Sequence, residues 1–249
     1  ACVPERPVAC DEKPGKISDM FKALFKNDQA MTVVVSIILV YTSLNICGNL
    51  VLYFFRFDVG NEGAYSIFAA VAFAAQVLVM MVIPLLRKRF SKSQLFISGF
   101  IIQIAGFAVI LIMAFAKLYT PQSWYILCLP GILIYLGYGM LNVIMTIFLS
   151  DSVDYGEVMN GTREESVIFS MQTFTVKLAS GVAVFLAGLV VDCIHLDTAA
   201  AVQTQDTLDA LRMWMTIPSV ILLIVGIFVF KRFYKLDDTR MEEIKSKLN

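Results

Sequence analysis

Lys177 stands in VIFSMQTFTVKLASGVAVFLAGLVV, residues 167 to 191, a run otherwise apolar enough to cross a bilayer. An ammonium held at that depth costs roughly 2.5–3.5 kcal/mol on insertion scales, so its presence points to an ion path, a counter-charge or a water-filled cavity. It lies about eleven residues from either end of its run, roughly 16 Å at 1.5 Å per residue, too far to snorkel comfortably. At 100° per residue, Ser166, Ser170, Thr173, Gly181, Val184 and Gly188 fall within about 40° of it. Ile168, Met171, Leu178, Val182 and Leu186 lie on the other side. Small residues alone would mean close helix packing, but they do not account for a lysine.

Two further sets of polar side chains sit in apolar runs. Tyr41, Asn45 and Asn49 are spaced i, i+4, i+8, on one slowly drifting helical face. Tyr138 and Asn142 repeat the Tyr-x-x-x-Asn spacing within LPGILIYLGYGMLN. Amides and phenols of this kind can hydrogen-bond a polyhydroxy solute, and they can equally join one helix to the next. A third set is acidic. LSDSVDYGEVMNGTREESVIFSMQTF gathers Asp151, Asp154, Glu157, Glu164 and Glu165, opposed only by Arg163. It reads as a charged loop, with TREE at Thr162–Glu165 as a capping box opening the next helix.

The elements that must position these residues follow from composition. The chain is 58% hydrophobic and 16% charged, with a mean hydropathy of +0.75. A soluble domain of this make-up would present large apolar patches to water, so its solvent is lipid. Six runs reach the length a helix needs to span about 30 Å of hydrocarbon, at about 31–55, 64–86, 95–116, 124–149, 166–191 and 211–230. The fold class is therefore an all-α integral membrane bundle of six transmembrane helices. A segment over 1–30 precedes the domain at 31–230, and a tail over 231–249 follows it. KISDMFKALFK puts Ile17, Met20, Phe21, Leu24 and Phe25 on one face and reads as an amphipathic helix at the membrane surface.

Lysine and arginine set the orientation. Sixteen lie in residues 1–30, 87–94, 150–165 and the tail, against two in the alternate loops. This predicts a multi-pass protein of the cell membrane with both termini cytoplasmic. Basic and acidic residues balance at 20 each, so no surplus argues for nucleic acid. The five cysteines and His195 have no metal-ligand spacing, and no cofactor is implied. An enzyme is disfavoured because the six runs contain no His, Asp or Glu from which to build a catalytic constellation. The same lack leaves Lys177 without a carboxylate at its own depth. The ammonium is deprotonated, faces water, or meets a carboxylate from polypeptide outside this chain. The last is favoured, since six spans with an unpaired charge read as half of a larger assembly. The absence of an initiator methionine fits that expectation.

DSVDYGE followed by GTREESVIFSMQTFTVK resembles the signature of the glycoside–pentoside–hexuronide:cation symporters, the melibiose permease family. The ending YKLDDTRMEEIKSKL is similar to that family's closing segment. The resemblance implies the C-terminal half of a twelve-helix major facilitator fold, with an N-terminal six-helix half as partner. It implies symport of a sugar or glycoside driven by Na⁺ or H⁺, with alternating access about a midplane site. Lys177 would lie near the coupling-cation site, whose ligands come mainly from the other half, and Thr173 near the sugar. Tyr41, Asn45, Asn49, Tyr138 and Asn142 are the further sugar-site candidates. Asp151, Asp154, Glu157 and Arg163 would form a cytoplasmic gate, with the RKR at 87–89 as further basic partners. Asn142 stands where melibiose permease carries a tryptophan, which points away from melibiose itself. A sensor or scaffold on the same fold, or a carrier for a non-sugar solute, is the alternative.

Overall fold

A computed structural model of the chain describes residues 25–161 and 165–248. Most of the amphipathic segment over 16–26, together with Thr162, Arg163 and Glu164, lies outside the described residues.

Helix α1 (Asp28–Tyr53) starts at Asn27, whose side chain accepts from the Ala30 N–H at 2.9 Å. That bond satisfies one of the orphan donors of the first turn. A π turn, Phe54–Val59, carries the helix on to Gly60, which ends it at φ 75°. Helix α2 spans Ala64–Leu86, and α3 spans Lys92–Phe115 behind a reciprocal capping box of Ser91 and Gln94. A short 3₁₀ turn at Trp124–Leu127 leads into α4, Cys128–Asn160. Helices α5 (Glu165–Cys193) and α6 (Gln205–Phe233) follow, and a short α7 (Asp238–Leu248) closes the described chain.

Six of these helices are long and apolar enough to cross a membrane. Several run further than their apolar stretches, the sixth beginning at Gln205 rather than 211. The first continues past residue 55 to Val59, and the fourth past residue 149 to Asn160. Asp151, Asp154 and Glu157 are therefore helical, not members of a loop as their charge suggests. Hydropathy reports where lipid begins and ends, whereas a helix continues as long as its backbone hydrogen bonds do.

Helices α1 and α4 touch at the centre of the bundle. Helices α2 and α3 pack on α4, α5 and α6 pack on α1, and contacts between α3 and α6 close the group. The seam between α3 and α4 is the tightest for a simple steric reason. A Cβ on Gly137 would sit 2.6 Å from the Gln103 backbone nitrogen and the Gly99 carbonyl oxygen. Glycine there lets two backbones approach as no other residue would, which is how helices pack when lipid supplies no hydrophobic drive between them. Toward the end where α3 begins and α6 finishes, Phe96, Phe148 and Phe230 form an aromatic cluster with centroids 4.4–5.1 Å apart. Tyr234 stacks on Phe230 at 4.7 Å. Helix α7 lies across the end of α4, burying Leu236, Met241 and Ile244 against Tyr155 and Val158.

Candidate functional site

The polar residues of the inner helices meet. The Asn142 amide donates to the Tyr41 hydroxyl at 2.5 Å, joining α4 to α1. The Tyr138 ring meets that of Tyr41 edge-on at 5.5 Å. Asn45 donates to the Tyr41 carbonyl at 2.7 Å, one turn back on its own helix. Its side-chain oxygen accepts from Ser180 on α5 at 3.3 Å, which brings in a third helix. Asn49 bonds back to the Asn45 carbonyl at 2.7 Å and so extends the row along α1 without bridging to another helix. Thr173 likewise bonds its own helix, at the Phe169 carbonyl, 3.3 Å away.

Thr173 and Lys177 share the open face of α5. Ser166, Ser170, Thr173, Lys177, Gly181, Val184 and Gly188 are all exposed, and they are the residues the helical wheel groups together. The opposite face, with Met171, Thr175, Ala179, Ala183 and Ala187, is buried, chiefly against α1. No ion pair to Lys177 is formed among the described residues. Gln172 on α5 and Thr146 on α4 meet at 3.5 Å, a further polar link between these helices. Thr146, Gln172 and Ser180 are members that spacing alone did not single out. Thr146 is one turn beyond Asn142, and Ser180 lies three residues beyond Lys177, so a wider reading of the same faces reaches them.

The result is a band of phenol, amide and hydroxyl groups across α1, α4 and α5, bordered by one cation. It offers donors and acceptors for hydroxyl groups and aromatic edges for an apolar ring face. Among the described residues no cluster of His, Cys, Asp or Glu is placed to hold a metal ion.

At the end of the bundle where α3 begins, Asp151 pairs with Lys92, the first residue of α3, at 2.5 Å. The Lys92 ammonium also reaches Asp238 of α7 at 3.4 Å, and Arg87 meets the same carboxylate at 3.6 Å. Lys92 and Asp151 are buried. Lys92 is thus a partner of Asp151 beyond the expected Arg163 and RKR at 87–89. Arg163 lies outside the described residues, and Arg87 turns to α7. Lys92 takes the role because it opens α3 directly beside the helical extension of α4. Tyr234 sits behind this group, and burial, reinforced by the negative charge of Asp151 and Asp238, raises its hydroxyl pKa.

A second charged cluster lies at the opposite end. Asp58, carried by the π turn, accepts from Arg212 Nη2 at 2.5 Å and from Arg212 Nε at 2.8 Å. Tyr119, in the connection between α3 and α4, donates to the same carboxylate at 2.5 Å. Asp209 takes the remaining side of the guanidinium at 2.7 Å. Asp58 and Arg212 are each 3% exposed at the side chain, so the chain does hold a buried carboxylate in its helices. It is committed to Arg212 and belongs to the end of the bundle where α1 finishes and α6 begins. Sequence reading missed the pair because the first apolar run ends three residues before Asp58.

With this geometry in hand, the chain can be placed among known proteins. The sequence signature of the family described as MFS/sugar transport protein matches residues 4–238. An uncharacterized symporter, YjmB, of Bacillus subtilis (strain 168) is 25% identical over 94% of this chain and 49% of its own length. The raffinose carrier protein of Pediococcus pentosaceus is 23% identical, over 93% of this chain and 35% of its own. The isoprimeverose transporter of Lactiplantibacillus pentosus is 26% identical, over 89% and 44%. The chain thus spans between 35% and 49% of the length of these relatives.

Proposed function

The chain belongs to the MFS/sugar transport protein family, and from that premise we propose that it is the C-terminal half of a symporter that carries a sugar or glycoside with Na⁺ or H⁺. The carrying observation is the polar band across α1, α4 and α5, held together by the Asn142–Tyr41 and Ser180–Asn45 bonds beside an open helix face with Lys177. Tyr41, Asn45, Asn49, Tyr138, Asn142 and Thr173 contact the sugar. Its hydroxyl groups exchange with the bonds that Asn142 and Asn45 make in this conformation. The names of relatives, a raffinose carrier and an isoprimeverose transporter among them, support a sugar as the solute.

An N-terminal six-helix half covers the open face of α5 and supplies most ligands of the coupling cation. Lys177 competes with that cation for the same negative charge. Transport proceeds by alternating access, the two halves rocking about the midplane band. On the cytoplasmic side, Asp151, Asp154, Glu157 and Arg163 form the gate, with Lys92 as the buried partner of Asp151. Partly solvated ion pairs are individually weak, so the gate acts as a network rather than through one bond.

Two measurements test the reading. In the full-length protein, Asn142→Leu is expected to weaken sugar binding by roughly ten- to a hundredfold, the scale of losing one or two hydrogen bonds to a bound solute. Membrane insertion stays intact. Unchanged affinity would return Asn142 to helix packing alone. Orientation is tested separately with cysteines at Val202 and Met159, which are 82% and 63% exposed. An impermeant maleimide should reach position 202 only from outside the cell and position 159 only from inside. The reverse pattern would overturn the cytoplasmic placement of the termini.

A further inference from the structure

Helices α1 and α6 are joined by side-chain hydrogen bonds at three depths. At the cytoplasmic end, the Gln29 amide donates to the Phe233 carbonyl at 3.4 Å and accepts from the Lys235 N–H at 2.8 Å. At mid-membrane, Ser43 and Ser219 each donate to the other's backbone carbonyl, at 3.0 and 2.8 Å. At the outer end stands the Asp58–Arg212 pair. Gln29, Ser43, Ser219 and Arg212 are all buried. Inside a membrane no water waits to replace such bonds, so a change of angle between the two helices would leave buried donors and acceptors unpaired at three levels together.

Helix α5 meets the same α1 differently. Its buried face carries Ala179, Ala183 and Ala187 at a spacing of four, a smooth surface on which Thr175 is the one buried polar side chain among the described residues. Its polar links to α1 and α4, Ser180 to Asn45 and Gln172 to Thr146, are long at 3.3 and 3.5 Å and partly open to solvent. Only at its outer end is it tied to α6, where Thr207 donates to the Ile194 carbonyl at 3.2 Å in a buried setting.

We infer that α1 and α6 move as one riveted pair while α5 pivots about its outer end, sliding on its alanine face and carrying Lys177 past the polar residues of α1. Motion then grows with distance from Ile194. The inference rests on the alternating-access reading for its use but not for its test. Packed interfaces are bistable, not continuously deformable, so α5 should occupy discrete positions.

The experiment is double electron–electron resonance on spin-labelled full-length protein in lipid nanodiscs, without added solute. Three pairs use exposed sites: Ser170 of α5 with Phe228 of α6, Leu189 of α5 with Met213 of α6, and Leu52 of α1 with Ile221 of α6. The first should give a distance distribution at least about twice as wide as the third, or two resolved populations. The second, close to the pivot, should be as narrow as the third. A first pair as narrow as the third would overturn the inference, as would a broad third pair. Sugar-uptake measurements on unlabelled protein stand apart: loss of the transport reading would leave these distance comparisons able to decide the inference by themselves.

Discussion

Asp58→Ala will destabilise the folded protein by about 3–5 kcal/mol, the cost of stripping a buried cation of its partner. Arg212 is 3% exposed at its side chain, and Asp58 accepts two of its hydrogen bonds. Asp209 remains in the variant but touches only one nitrogen and is itself 46% exposed. Tyr119 loses its acceptor as well. Burial, then the hydrogen bond to the Asp58 carboxylate, raises the pKa of that phenol, so it stays a donor at any physiological pH. Thermal unfolding of purified protein in detergent should show a clear fall in melting temperature. Replacing both partners, Asp58→Leu with Arg212→Met, should recover most of the loss, because an apolar pair of similar volume leaves no charge to desolvate. A single variant that melts like the parent would mean that water reaches Arg212 and that the cluster holds nothing together.

The second large effect concerns transport. Lys177→Val in the full-length protein should abolish ion-driven accumulation of sugar while leaving the protein inserted and folded. Lys177 lies on an exposed face of α5 and makes no ion pair among the described residues, so its removal breaks none among them. A lysine kept at mid-membrane at a cost of roughly 2.5–3.5 kcal/mol needs a return elsewhere. In the proposed mechanism, competition with the coupling cation for carboxylates of the other half supplies it. Failure of the variant to accumulate in the membrane would instead assign Lys177 to a structural ion pair. Normal concentrative uptake would defeat both readings.

The six-span architecture was legible because membrane burial and hydropathy are nearly the same quantity, and the residues the wheel groups about Lys177 are all exposed, although Leu178, Val182 and Leu186, assigned to the other side, are exposed as well. Tyr-x-x-x-Asn spacing drew attention to Tyr41 and Asn142, but not to the bond between them, which depends on how α1 and α4 face one another. What escaped has a common cause. Asp58 and Asp151 both lie on helical turns beyond the apolar runs, where charge density imitates a loop. A π turn is harder still to foresee. It admits one extra residue, which rotates everything beyond it by about 100° relative to an unbroken α-helix. The direction in which Asp58 points is thus not contained in a 3.6-residue period. Lys92 was counted as one loop cation among four, although its neighbour Ser91 and Gln94 mark the start of a helix that would bury it.

The pairing of α1 with α6 has a consequence for biogenesis. The first of the six spans finds its hydrogen-bonded partner in the sixth, and 145 residues separate Val59 from Gln205. At roughly 5–20 residues per second of synthesis, Asp58, Ser43 and Gln29 wait about 8–40 s before Arg212, Ser219 and Phe233 exist to receive them. During that interval a carboxylate, a hydroxyl and an amide stand in lipid or against the insertion machinery without their final partners. Helices α3 and α4, neighbours in sequence and joined through glycine, can assemble at once. The nascent bundle therefore grows outward from its middle, and α1 is the span most dependent on an insertase to shelter it and most exposed to membrane quality control if elongation stalls.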